Sequence, residues 1–254
     1  FIIIYSICSV SIFFFSLIQL DLFLNYKKSK TKAKNIILPN FKNLPFVTIQ
    51  LPIYNEQNVI KRLLDAIVKM DYPSDKIEIQ VLDDSDDNSS IYVKKLISQL
   101  KSKTNLKINH IIRKNRDGFK AGALKYGLEL AKGNYIAIFD ADFIPRSDWL
   151  KKTVCGFKDP KVGVVQTKWN HINKNFSLLT KIQAFALDIH FTLEQVGRSL
   201  NSYFLNFNGT AGIWRKEAIL KSGNWNSDTL TEDLDLSYRA QLRGWRVKYM
   251  ESIN

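Results

Sequence analysis

Residues 1–20 read FIIIYSICSVSIFFFSLIQL, a run without a charged side chain whose only strongly polar member is Gln19, and apolar character resumes after Asp21 in Leu22, Phe23 and Leu24. About 20 helical residues cover the hydrocarbon core of a bilayer, so residues 1–24 are expected to form a transmembrane helix. Ile, Val and Phe are poor formers of a water-exposed helix but suit a lipid-facing one, where the backbone must satisfy itself internally. A buried core helix and a signal peptide share this pattern. A signal peptide carries its positive region before the apolar run and a small-residue cleavage site after it. Here Lys27, Lys28, Lys30, Lys32 and Lys34 come after, and no Ala-x-Ala is present. Basic residues flank membrane helices on the cytoplasmic side, so the remainder is expected to face the cytoplasm, at a bacterial inner membrane or, in a eukaryote, the Golgi. Residues 25–45 form a basic linker ending in Pro39 and Pro45.

From residue 46 apolar runs of strand length alternate with segments of helical period. Strands are expected at 46–51, 77–82, 107–112, 135–139, 162–167 and 244–250. The first is taken to stop at Pro52, with Asn55 capping a helix whose Val59, Ile60, Leu63, Leu64, Ile67 and Met70 share one face. Further helices are expected at 89–100, 118–131 with Gly133 just beyond, 148–157, 178–196 as one long helix, 216–221 and 231–242. Residues 204–214 (FLNFNGTAGIW) read as part loop, part strand. This order predicts an α/β fold, an open and mostly parallel sheet with helices on both faces. Residues 46–254 are expected to be one domain with a nucleotide-binding half and an acceptor-side half. Such sheets bind ligands at the C-terminal ends of their strands.

The 254 residues carry 37 Lys+Arg against 24 Asp+Glu, a net charge of +13. The lysine cluster beside the apolar run fits anionic lipid head groups. No nucleic-acid-binding aromatic motif or recognition helix is evident, so nucleic acid is not an expected partner. Cys8 and Cys155 suggest neither a disulfide framework nor zinc. The chain reads as a piece of a longer protein.

Three acidic motifs stand out. Asp83 and Asp84 leave an apolar strand, where a carboxylate can accept hydrogen bonds from a base or ribose; an acidic turn continuing into Asp86 and Asp87 is the other reading. Asp140 and Asp142 leave the strand YIAIF one residue apart, spacing suited to Mg²⁺ or Mn²⁺ held with substrate phosphates; a solvated loop is the alternative. Thr231, Glu232 and Asp233 open a helix. They fit an N-cap with acids at the positive helix end, or place Asp233 as a general base for a close, oriented hydroxyl. Lys120 lies in the basic, glycine-bearing RDGFKAG segment at a helix start, which attracts anions, or is an ordinary surface lysine. His110, His171 and His190 lack metal spacing, and His190 reads as a packing residue. Trp169, Trp214 and Trp225 can stack on sugars or pack.

The segments LPIYNE (51–56), QVLDDSDD (80–87), RDGFKAGAL (116–124), FDADF (139–143), IQAFALDIHFTLEQ (182–195), FNGTAGIWR (207–215) and TEDLDLSYRAQLRGW (231–245) together resemble the inverting glycosyltransferases of family 2. Among them the chain is most similar to cellulose-synthase-like β-mannan and glucomannan synthases. The resemblance covers roughly residues 46–254 and implies a GT-A-like fold. It implies that Tyr54, Glu56, Asp83 and Asp84 border the nucleotide, with Asp83 reading the base, and that Lys120 lies near the diphosphate. It further implies that Asp142, with Asp140, holds Mg²⁺ or Mn²⁺, and that Phe207, Asn208, Gly209 and Thr210 line the acceptor side of the ligand site. Asp233 becomes the catalytic base beside Glu232. The implied reaction moves a hexose from GDP-mannose or UDP-glucose to a growing β-glycan. Processive members carry Gln-x-x-Arg-Trp after TED, and no such motif follows Asp233 here. A non-processive enzyme with a lipid-linked acceptor and a non-catalytic membrane scaffold are the other readings.

Overall fold

The structure, a computed structural model, describes residues 1–30, 44–200 and 203–253. Lys32, Lys34 and Pro39 of the expected linker lie outside them. In chain order the elements are α1 (Ile2–Lys30), β1 (Val47–Ile53), α2 (Ile60–Ile67), β2 (Ile77–Asp83), α3 (Ser89–Lys101), β3 (Lys107–Ile112), α4 (Phe119–Leu130), β4 (Tyr135–Ile138), α5 (Trp149–Thr153) and β5 (Val162–Thr167). Then come α6 (Leu178–Ile189), a π-helical turn (His190–Gln195), α7 (Val196–Leu200), β6 (Gly212–Arg215), α8 (Lys216–Lys221), α9 (Glu232–Leu242) and β7 (Arg246–Met250). Two compact units result. One joins α1 to Trp169–Leu205; the other is the described part of Leu38–Lys168 with Asn206–Asn254.

The larger unit is a seven-stranded sheet in the order β3-β2-β1-β4-β6-β5-β7. Neighbours are parallel except β6, which runs antiparallel to both β4 and β5. The sheet is therefore mixed, and β6 separates a four-stranded parallel half from the β5–β7 pair. β2 and β5 are buried along their whole length, while the edge strands β3 and β7 are half exposed. Strands covered on both faces read as continuous apolar runs. The buried polar exceptions pair across the β1–β2 register: Thr48 Oγ1 donates to Glu78 Oε1 at 2.7 Å and Gln50 Nε2 to Gln80 Oε1 at 3.0 Å.

Several local expectations need correction. β1 runs through Pro52 to Ile53; its pairing with β4 ends at Gln50, so the missing proline N–H falls where β1 has only β2 beside it. Asn55 does not cap α2. It takes a left-handed φ of 59°, and its side chain donates to Asp86 Oδ1 at 2.8 Å. Thr231 stands at the N-cap of α9 without a side-chain cap bond, though Glu232, Asp233 and Asp235 occupy the first turn. The expected long helix is broken by the π-turn between α6 and α7. His190 there meets Phe191 edge-on, with ring centroids 5.3 Å apart, and also bonds Glu194 at 2.9 Å. Trp214 and Trp225 are core residues, packed edge-on at 6.1 Å, so they pack rather than stack on sugars. Trp169 meets Phe191 edge-on at 5.4 Å.

Gly133 lies just beyond α4, and its φ is not among the positive ones. Its reason is close approach: an added Cβ would sit 2.4 Å from the Thr48 backbone nitrogen. Backbone on β1 cannot give way without disturbing a central strand. Gly133→Ala is expected to lose on the order of 1–3 kcal/mol, the usual overpacking cost, seen as a lower thermal midpoint in detergent. An unchanged midpoint would mean the β1 contact is loose.

Candidate functional site

The C-terminal ends of β1, β2 and β4 open on a cleft of about 390 Å³. Tyr54 and Glu56 line it from the chain after β1, Asp84 from the end of β2, Arg116 and Lys120 from the start of α4, and Asp140 and Asp142 from the chain after β4. Parallel strands bring these segments, far apart in sequence, to one edge.

Lys120 sits at the centre of the charges. Its Nζ donates to Asp140 Oδ1 at 2.5 Å and to the Gly209 carbonyl at 3.3 Å, and lies 3.9 Å from Glu232 Oε1. Burial raises the Asp140 carboxyl above its ordinary range; Lys120 opposes this, and the charges of Asp142 and Asp233 add to it. Glu232 is raised by burial too, again against Lys120. Glu56 is raised by burial and then by Asp142 and Asp140. Each of these carboxylates is felt by others, so the cleft concentrates negative charge that Lys120 and Arg116 offset only in part.

Asp83 and Asp84 have different surroundings. Asp83 is 1% exposed, with Oδ2 2.7 Å from His110 Nε2 and Oδ1 accepting from the Ser85 N–H at 3.0 Å. Burial pushes its carboxyl up, but the bonds from His110, Ser85 and Ser90 outweigh it and hold the group below its ordinary value. Asp83, expected to read a base, does not line the cleft; it bonds His110 across the β2–β3 pair, and Asp84 is the one lining it. Asp84 is in turn held by Arg113, whose Nε donates to Oδ1 at 2.8 Å and whose Nη2 reaches Oδ2. Arg113 also donates to the Asp117 carbonyl at 2.8 Å and the Phe119 carbonyl at 3.1 Å, so it joins the β2 end to the start of α4. Arg116 lies over the Tyr54 ring, 3.3 Å from its centroid. Sequence reasoning singled out neither Arg113 nor the Arg116 stack. The register that sets Asp83 opposite Ile112 also sets Asp84 beside Arg113, but that signal exists only once the strands are paired.

The segment before β6 is held from below. Gln166 Nε2 donates to the Thr210 carbonyl at 3.1 Å, and Gln166 Oε1 accepts from the Asn208 N–H at 3.0 Å. Phe207 is buried against Trp214, with ring centroids 5.4 Å apart, so its side chain belongs to the core and not to an acceptor surface. Thr210 is also buried; its hydroxyl accepts from the Asp140 N–H at 3.1 Å and so fixes the start of the D-x-D segment. Gly209 has φ +70°, and a Cβ there would lie 2.9 Å from Asp233 Oδ2 and 3.4 Å from Lys120 Nζ. The Gly209 backbone therefore lies against both groups. Asp233 Oδ1 accepts from the Leu234 N–H at 2.8 Å.

Among the described residues, no cluster of three or more His, Cys, Asp or Glu side chains is arranged as a metal cage. The donor chemistry nevertheless fits a hard divalent cation. Asp142 is exposed and makes no hydrogen bond or ion pair with another described residue, and its charge acts on both Glu56 and Asp140. Mg²⁺ and related ions commonly take one or two carboxylates and complete their shell with phosphate and water.

Known proteins resemble this chain over most of its length. A rice protein, the probable glucomannan 4-beta-mannosyltransferase 4 of Oryza sativa subsp. japonica, is 44% identical over 214 residues, covering 82% of this chain and 39% of its own length. The glucomannan 4-beta-mannosyltransferase 1 of Cyamopsis tetragonoloba is 39% identical over 233 residues, covering 90% and 44%. The chain thus spans less than half the length of these relatives. The mannosyltransferase PcManGT from Pyrobaculum calidifontis, solved in complex with GDP-Man and Mn²⁺, superposes with a TM-score of 0.70 at 26% identity, over 91% of this chain and 63% of its own. Residues 48–221, from β1 through α8, match the model of the family described as glycosyl transferase family 2, and the chain belongs to that family.

Proposed function

We propose that this chain carries the donor-binding and catalytic part of an inverting mannosyltransferase that extends a β-glycan from GDP-mannose. The convergence of Asp140, Lys120, Glu232 and Asp233 around the Gly209 backbone carries the reading. The mannosyltransferase names of the plant relatives and the GDP-Man held by the archaeal neighbour favour GDP-mannose over UDP-glucose. Tyr54, Arg116 and Asp84 border the nucleotide, and Glu56 lies deeper, toward the D-x-D segment. Asp83, through His110, keeps the β2 end in place. Asp142 and Asp140 hold Mg²⁺ or Mn²⁺, which when bound offsets the charge of the diphosphate.

Asp233 takes the proton of an acceptor hydroxyl. The acceptor oxygen bonds to the anomeric carbon as the bond from that carbon to the phosphate oxygen breaks, and the nucleoside diphosphate leaves with the electron pair. Attack from the opposite face turns an α-linked donor into a β-linked product. Lys120 keeps Asp140 oriented and presents positive charge toward the leaving diphosphate. Gly209 and Asn208 border the acceptor. α1 is long and apolar enough to cross a membrane; in this reading it anchors the enzyme, with Lys27 and Lys28 marking the cytoplasmic end.

The test is nucleoside diphosphate release by the full-length protein in membranes with Mn²⁺, comparing GDP-mannose, UDP-glucose and UDP-N-acetylglucosamine. Release fastest from GDP-mannose is expected. Silence with all three donors sinks the proposal, and a single sugar per acceptor in place of polymer removes its β-glycan part.

A further inference from the structure

Arg113 follows β3 directly and stands beside the donor cleft without lining it. Its guanidinium fork is aimed at protein atoms. Nε and Nη2 take the two oxygens of Asp84, Nη1 donates to the Asp117 carbonyl at 2.8 Å, and Nη2 also reaches the Phe119 carbonyl at 3.1 Å. The Arg113 side chain is 12% exposed and that of Asp84 6%, so water competes little for these bonds. A planar fork suits this task, and an ammonium cannot reproduce it.

What Arg113 holds is unfavourable by itself. Gly118 and Phe119 take consecutive left-handed conformations, with φ of 71° and 49°. Glycine adopts this readily. For an aromatic residue it is an outlier that persists only where the surroundings over-determine it. The Phe119 side chain does not supply the restraint, because the residue is 62% exposed. The two carbonyls that Arg113 takes are those of Asp117 and Phe119, on either side of Gly118. Gly122 leaves room for this grip: a Cβ there would lie 2.6 Å from Arg113 Nη1. The turn so held is flanked by the two cations of the cleft. Arg116 precedes it and lies 3.3 Å from the Tyr54 ring centroid; Lys120 follows it and bonds Asp140 at 2.5 Å. A turn relaxed to an ordinary backbone conformation would re-aim both.

We propose that Arg113 is a positioning residue: by fixing Asp84 and the left-handed turn at the start of α4, it sets how tightly the nucleotide part of the donor is held, and it takes no part in the transfer step. This rests on the nucleotide reading of the cleft. The test is Arg113→Lys in the full-length protein in detergent with Mn²⁺, with GDP affinity measured by calorimetry and KM and kcat measured with GDP-mannose. Roughly 10-fold weaker GDP binding is expected, with a parallel rise in KM and kcat unchanged. A second substitution, Phe119→Asn, separates positioning from general stability. Asparagine tolerates the left-handed region, so Arg113→Lys with Phe119→Asn should regain most of the lost affinity. Unaltered GDP binding in Arg113→Lys overturns the proposal. So does a lower kcat at unaltered binding, or a double variant that binds no tighter than Arg113→Lys. If Arg113→Lys does not fold, the double variant decides: folded protein with the parent's GDP affinity supports the proposal, and any other result makes Arg113 a stability residue and overturns it. A parent that binds GDP but releases none from GDP-mannose removes the transfer reading alone; a parent that binds no GDP removes both.

Discussion

Asp233→Asn is expected to lower kcat for sugar transfer by about 10²–10⁴-fold, the range for a positioned general base, with nucleoside diphosphate affinity little changed. The substitution removes the proton acceptor and one negative charge felt by Asp140 and Glu232, and leaves the local hydrogen bonding in place. An asparagine Oδ1 can still accept from the Leu234 N–H that now bonds Asp233 Oδ1 at 2.8 Å. Its other terminus would lie against Gly209, where Asp233 Oδ2 already sits 2.9 Å from the Cβ position of that glycine. Initial rates of nucleoside diphosphate release, with direct binding of the diphosphate as the fold control, give the answer. A rate within a few-fold of the parent at intact binding would remove Asp233 as the base and favour a scaffold role.

The second large effect is expected at Asp142. Asp142→Asn should lose at least about 10–100-fold in activity at limiting Mn²⁺, since even partners outside a metal's first shell cost that much, and part of the loss should return at high Mn²⁺. Asp142 is exposed and unpaired among the described residues, so the change leaves no buried group unsatisfied. A second readout does not need turnover: Mn²⁺ should no longer strengthen nucleoside diphosphate binding. Removing this charge also takes away the largest electrostatic contribution to the raised Glu56 carboxyl, which should fall back toward its ordinary range and ionise at lower pH. Undiminished Mn²⁺ dependence in both assays would place the metal elsewhere.

Much of the larger unit was legible because its pattern is local. Runs such as IEIQVL and VGVVQT are buried on both faces, so each reads as a central strand without knowing its neighbours. The acids after β4 and at the start of α9 were legible because a strand end and a helix start fix where the next side chains lie. Asp83 and Asp84 were not separable, because a strand buried on both sides offers no polar alternation to show which residue turns toward the cleft. The burial of Phe207 is not legible for a related reason: FNGT reads as an exposed loop, and only the bond to Gln166 and the packing on Trp214 make that loop part of the core.

The sequence by itself determined most of the strands and helices, the apolar N-terminal helix and the identity of the acids available for chemistry, all of which follow from side-chain periodicity over a few residues. Only the tertiary structure decided that β6 enters antiparallel between β4 and β5, that Lys120 bonds Asp140 and the Gly209 carbonyl, and that Arg113 clasps Asp84. These contacts join residues 20 to 89 positions apart. Strand order and register select them, through the burial of whole apolar faces, and no local pattern along the chain carries that information.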